Sequence, residues 1–131
     1  MPITHHVDRE LNILFVTRSG PVSSLDEQKA LRARRVDRLV VPGIPVLVDC
    51  RWVEPSDNSD TVKYIADKVT KMAARLRCGP VAIVVSSQAE FGMARMYQIV
   101  TEPAHPDTGV FLDYDKALEW IEEMRSSSSP S

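Results

Sequence analysis

The sequence predicts a layered α/β domain, a mixed sheet of about five strands with four helices in the order β-β-α-β-α-β-α-β-α. Three observations predict it. The run Val81 to Val85 is wholly apolar and rich in β-branched residues, which marks a strand buried on both faces. A helical pattern begins within a few residues of its end, and a strand of that kind needs helices above and below it. Near the N-terminus, two short β-prone runs flank a polar turn and predict an antiparallel hairpin.

With 131 residues the chain has the length of one ordinary domain, read here as residues 1–125 followed by a disordered tail, 126–131. Its 44% hydrophobic and 26% charged residues are those of a globular protein with a core of its own. A net charge of −2 argues against nucleic acid, which needs a basic face. The longest apolar run is too short to span a membrane, so no integral membrane segment is expected. The N-terminus has no basic region followed by an apolar core, so no signal peptide is expected. Cys50 and Cys78 lack metal or redox spacing and read as free thiols in a reducing cytoplasm.

In the hairpin, Ile3 to Val7 and Leu11 to Thr17 are the strands, with Asp8, Arg9 and Glu10 between them. Neighbours on a strand point to opposite faces, so His5 and His6 do not share a metal, and no metal or cofactor is expected. Ser19-Gly20-Pro21 breaks the second strand, and Ser23 or Ser24 caps a helix over about 25–39, with Asp26 and Glu27 in its first turn. Its arginines, Arg32, Arg34, Arg35 and Arg38, read as a solvated side. Ile44 to Val48 is the next strand and ends in Asp49. The loop from Trp52 to Ser59 carries Pro, Asn and Ser turn chemistry. Asp60 to Arg77 is the clearest helix, with Val62, Ile65, Val69 and Leu76 on its inner stripe and Gly79-Pro80 as its stop. After the central strand, Ser86 or Ser87 caps a helix over about 88–101 with an expected inner stripe of Ala89, Met93, Met96, Tyr97 and Val100. A short strand over 109–112 and a helix over 114–124 complete the chain.

The strands VLVDC and VAIVVSS, the segment FGMARMYQIV and the ending VFLDYDKALEWI resemble the bacterial SpoIIAA-like proteins, grouped with the STAS domains of sulfate transporters and anti-sigma-factor antagonists. The resemblance covers about residues 3–124 and is most specific in FGMARMY and ALEWI. It implies a small mixed sheet with helices packed on it and a non-enzymatic, regulatory module that binds a protein partner. Related STAS domains are switched by phosphorylation of a serine at a helix start. The matching region here reads EPSDNSDTV, which makes Ser56 and Ser59 the candidate phosphoserines, with no glycine following as the antagonist motif has. A fold-level link to CRAL-TRIO lipid-transfer domains implies a second reading, a carrier of a small apolar or lipid-like ligand, or a contact with a membrane.

Open α/β sheets bind ligands at the carboxyl ends of their strands, here Asp49, Ser86 and Ser87, and Asp113. Asp49 and Ser86 also match two positions of a receiver domain, which gives a third reading, phosphotransfer. That site needs an acidic pair after the first strand, whereas Asp8 and Glu10 fall in the hairpin turn. The sequence holds no GxSxG, Gly-rich phosphate loop or HExxH, so no enzyme is expected, and Asp49 reads as a loop-capping carboxylate in preference to a base. Phe91 is expected to point outward from the first turn of its helix, opposite Met93, Met96 and Tyr97 and beside Arg95. These five residues are the candidate ligand or partner surface, for a protein, a second copy in a homodimer, or an apolar molecule.

Overall fold

The computed structural model describes residues 2–53, 79–102 and 107–128. The helix expected over 60–77, the candidate phosphoserines Ser56 and Ser59, and Cys78 and His105 lie outside the described residues. Within them the elements are β1 (Ile3–Asp8), β2 (Ile13–Gly20), α1 (Ser24–Val36), β3 (Val46–Val53), β4 (Val81–Val84), α2 (Gln88–Thr101), β5 (Thr108–Phe111) and α3 (Tyr114–Ser128). The strands form one five-stranded sheet in the order β1-β2-β3-β4-β5. β1 and β2 are antiparallel, and every later pair is parallel, as the expected hairpin and crossovers require.

Alternation along the strands sorts the core into two layers. Ile13, Leu47, Ala82 and Val84 face α3 and pack on its Ala117 and Ile121. Ile3, Leu14, Val16 and Val46 face the other way, with Ala30 of α1 packed against them. Helix α2 lies on the α1 side, where its Tyr97 comes within electrostatic reach of Arg18 and Cys50. His5 and His6 do point to opposite faces: His5 bonds Asp37 beyond α1, Nε2 to Oδ2 at 2.8 Å, and His6 stacks on Phe15 of β2.

Several boundaries differ from expectation, each for a local reason. Strand β2 starts two residues late because the hairpin turn runs on to Asn12, which takes φ 56° and donates its N–H to the Asp8 carbonyl at 2.7 Å. Ser19 and Gly20 do not break β2, because they stay paired with Trp52 and Val53. Helix α1 ends at Val36, three residues early, because the Asp37 carboxylate accepts the Leu39 N–H and competes with the helix. Helix α3 runs on to Ser128, so part of the expected disordered tail is helical. Arg125, near its end, holds the hairpin turn by donating to the carbonyls of Leu11 and Asn12 at 2.8 and 3.1 Å. Gly79 is required by crowding, since a Cβ there would stand 2.3 Å from the Gly43 carbonyl oxygen.

Candidate functional site

The largest correction falls on Asp49. It does not end its strand, because β3 continues through Val53. The extension contains a bulge: Thr17 pairs with Asp49 and Ser19 with Trp52, so β3 fits one extra residue into this stretch of ladder. A bulge bends a strand and re-aims its side chains, often beside functional sites. Here it directs Cys50 toward the α1 side and places Arg51 over Tyr114, on the α3 side.

The Asp49 carboxylate is buried and fully engaged. Its Oδ1 accepts the Arg51 backbone N–H at 3.1 Å and Arg51 Nε at 2.9 Å, and its Oδ2 accepts Nη2 at 2.8 Å. Burial alone would raise the carboxyl pKa, but the Arg51 bonds outweigh it, with help from the Trp52 side chain, and hold it below the ordinary value. The fork-to-carboxylate geometry fixes the guanidinium. It lies 4.8 Å from the Tyr114 ring centroid and 5.6 Å from that of Trp52, both within cation–π range. Trp52 itself is 62% exposed. Leu112, just past the end of β5, is also exposed at this edge.

The other expected rim residues act as helix caps. Ser86 donates from its N–H and Oγ to Glu90 Oε2, at 3.0 and 2.9 Å, and Ser87 Oγ accepts the Glu90 N–H at 3.2 Å. Asp113 Oδ1 accepts the Lys116 N–H at 3.1 Å. Asp49, Ser86, Ser87 and Asp113 therefore do not pair a free carboxylate with a free hydroxyl at this rim. Asp8 lies at the opposite edge of the sheet, next to the start of β2, where its Oδ1 accepts the Glu10 and Leu11 N–H groups. The acidic pair of a receiver site would have to stand at the carboxyl edge.

The expected surface on α2 is also redistributed. Phe91, Met93, Met96 and Tyr97 are all half-buried and Arg95 is exposed. At helical spacing these five positions run round the cylinder and do not form one patch. The side toward the sheet carries Glu90, Ala94, Tyr97, Gln98 and the buried Thr101, whereas Ala89 and Val100 of the expected inner stripe are exposed. Phe91 is half-buried, as are Ala94 and Gln98 on its side of the helix. Gln98 ties the helix to β5 by donating to the Thr108 carbonyl.

Sequence reasoning missed a polar cluster beneath α1 and α2. Arg18 Nη2 donates to Glu27 Oε1, with side chains 14% and 4% exposed. Burial works against the Arg18 charge, and the Glu27 bond outweighs it, so the guanidinium pKa rises. Beside them, burial pushes the Cys50 thiol up to about 11 and raises the Tyr97 hydroxyl. The signal for Arg18 was its parity with Leu14 and Val16, which puts it on an inward face. Among the described residues no three His, Cys, Asp or Glu side chains come together as a metal site. No helix among them is long and apolar enough to cross a membrane.

The layered sheet with sequential strand order and an opening hairpin defines the class of this chain, an open mixed α/β domain. Its particular form is a SpoIIAA-like fold. It matches the crystal structure of an uncharacterised protein of the DUF3478 family with a SpoIIAA-like fold from Shewanella loihica PV-4, with a TM-score of 0.57, 18% identity, and 91% of each chain covered. No protein-family profile matches the sequence, and no curated protein matches it.

Proposed function

We propose that this protein is a non-enzymatic binding module that docks a protein partner on the carboxyl edge of its sheet, with Trp52 as the anchor. The observation that carries the reading is an indole 62% exposed beside a guanidinium that a buried carboxylate holds in place. Trp, Tyr and Arg dominate the energetics of protein interfaces, and a rigid group loses less entropy on binding. Trp52, Arg51 and Tyr114 supply those three residue types at one edge.

Two other readings have less support. Phosphotransfer needs an available carboxylate, and Asp49 has both oxygens bonded to Arg51. A carrier of an apolar ligand needs an apolar space beneath α2, where Arg18, Glu27, Cys50 and Tyr97 lie together.

The test is capture of proteins from the source organism by immobilised wild type and Trp52→Ala, compared by quantitative mass spectrometry. A specific protein retained by the wild type and lost from the variant is expected, with melting temperatures within a few degrees of each other. Equal retention by both chains defeats the proposal. Native mass spectrometry of the purified protein adds a second check, because a co-purifying lipid-sized molecule favours the carrier reading.

A further inference from the structure

Helix α2 is amphipathic in the unexpected sense. Its sheet side carries Glu90, Tyr97, Gln98 and Thr101, and the Thr101 hydroxyl satisfies itself by donating to the Tyr97 carbonyl at 2.9 Å. Its solvent side carries Ile99, 63% exposed, and Val100, 46% exposed, together with Ala89 and Gly92. Gly92 lies within the helix, where glycine costs about 1 kcal/mol relative to alanine. A Cβ at Gly92 would meet nothing within 4 Å, so packing within the chain does not call for glycine there. An apolar, flat outer face on a helix is the pattern of a surface that another surface covers.

We propose that this face pairs with the same face of a second copy of this chain, in an antiparallel two-fold contact with Ile99 at the axis. The charge pattern selects the occupant. Arg95, Ile99 and Glu102 stand at i, i+4 and i+7, so they form one stripe along the helix, and all three are exposed. Two antiparallel copies related by a dyad at Ile99 bring residues before the axis opposite residues after it. At 1.5 Å per residue, Arg95 lies about 6 Å before Ile99 and Glu102 about 4.5 Å after it. Each Arg95 therefore meets Glu102 of the second copy, and the symmetry makes the pair twice. Arg95 also donates to Gln98 Oε1 within its own chain, through Nη1, which leaves its other N–H groups for Glu102. A helix of 14 residues buries well under the roughly 800 Å² per partner of a stable interface, so the dimer is weak and dissociates in the micromolar range or above.

Sedimentation equilibrium of the full chain, from about 1 µM to about 1 mM, reads this directly. The wild type is expected to pass from monomer to dimer across that range. Ile99→Glu is expected to raise the dissociation constant at least about tenfold with an unchanged thermal melt, because the side chain is exposed in the monomer. Arg95→Glu and Glu102→Arg are each expected to weaken the dimer, because each places like charges opposite one another. The double variant Arg95→Glu/Glu102→Arg is expected to restore it, which a merely destabilised helix would not do. A wild type that stays monomeric at the highest concentration overturns the proposal. So does a dimer indifferent to Ile99→Glu, or a double variant no tighter than the single ones. Trp52→Ala leaves this equilibrium unchanged, so the dimer and the proposed partner edge stand or fall separately.

Discussion

Asp49 and Glu27 are buried carboxylates with one arginine each, and each pair sets a measurable property. The Asp49 carboxyl titrates below its unfolded value, so the stability it contributes is present above an unfolded pKa of about 3.9 and is lost as pH falls through the folded value. Asp26 and Asp37 shift the same way, through the backbone N–H groups of Ser23 and Leu39 first and the Ser23 and His5 side chains after them. Thermal melts are therefore expected to hold steady from neutral pH to about 4 and to fall steeply below it. Asp49→Asn is expected to flatten part of that acid limb and to lower the melting temperature at pH 7, where Arg51 loses its counter-charge. An acid limb identical in wild type and variant would show that Asp49 contributes nothing to it. The Arg18–Glu27 pair is the deeper one, and removing one partner strands a charge. Glu27→Ala is expected to cost about 3–5 kcal/mol in urea unfolding, and Arg18→Met/Glu27→Leu to recover most of that loss. Residual stability in Glu27→Ala equal to the wild type would mean that water already reaches Arg18.

At the level of elements, the sequence was legible where one local signal sufficed. The apolar run of β4, the serine caps of α2 and the Tyr114 start of α3 lie where composition and capping chemistry place them. It was less legible where pairing partners overrule local preference. Ser19-Gly20 looks like a breaker, yet the neighbouring strand holds it in the ladder. Asp49 looks like a strand end because a charged residue follows an apolar run, and only the later-placed Arg51 makes a buried carboxylate acceptable mid-strand. Trp52 reads as the start of a loop for the same reason, and nothing in the sequence singles out Arg51, so the best-defined part of the candidate site is not legible there. On α2 Tyr97 and Thr101 take the sheet side, where the Thr101 hydroxyl is satisfied by the Tyr97 carbonyl of its own helix, and Ile99 and Val100 are left on the outer side. A periodic stripe says that a face will be covered and does not say by what. The contrast predicts a stability difference between two isoleucines. Ile121→Ala on α3 is expected to lower the unfolding free energy by about 2–5 kcal/mol, because the side chain is fully buried. Comparable losses for Ile121→Ala and for a truncation of exposed Ile99 to Ala, measured in urea, would contradict the assigned faces.

Over the whole molecule, strand order equals chain order, β1 to β5, with each strand laid beside the one before it. The α1 side of the sheet gains its helix early, since α1 lies between β2 and β3 in the chain. Among the described residues, the helix on the opposite side is α3, which supplies Ala117 and Ile121 to Ile13, Leu47, Ala82 and Val84. During synthesis the ribosome delivers these residues from the N-terminus onward, and domains begin to assemble as they emerge. Among the described residues, the sheet is thus complete in sequence before the helix on this face has been made. For the interval between the exit of Phe111 and the exit of Ile121, Ile13, Leu47, Ala82 and Val84 have been made without the α3 side chains that pack on them. The last helix serves as a lid on biosynthesis as much as a wall of the core. Its Arg125 clasp on the Leu11–Asn12 turn joins α3 to the opening hairpin, a contact that forms only once α3 has been made.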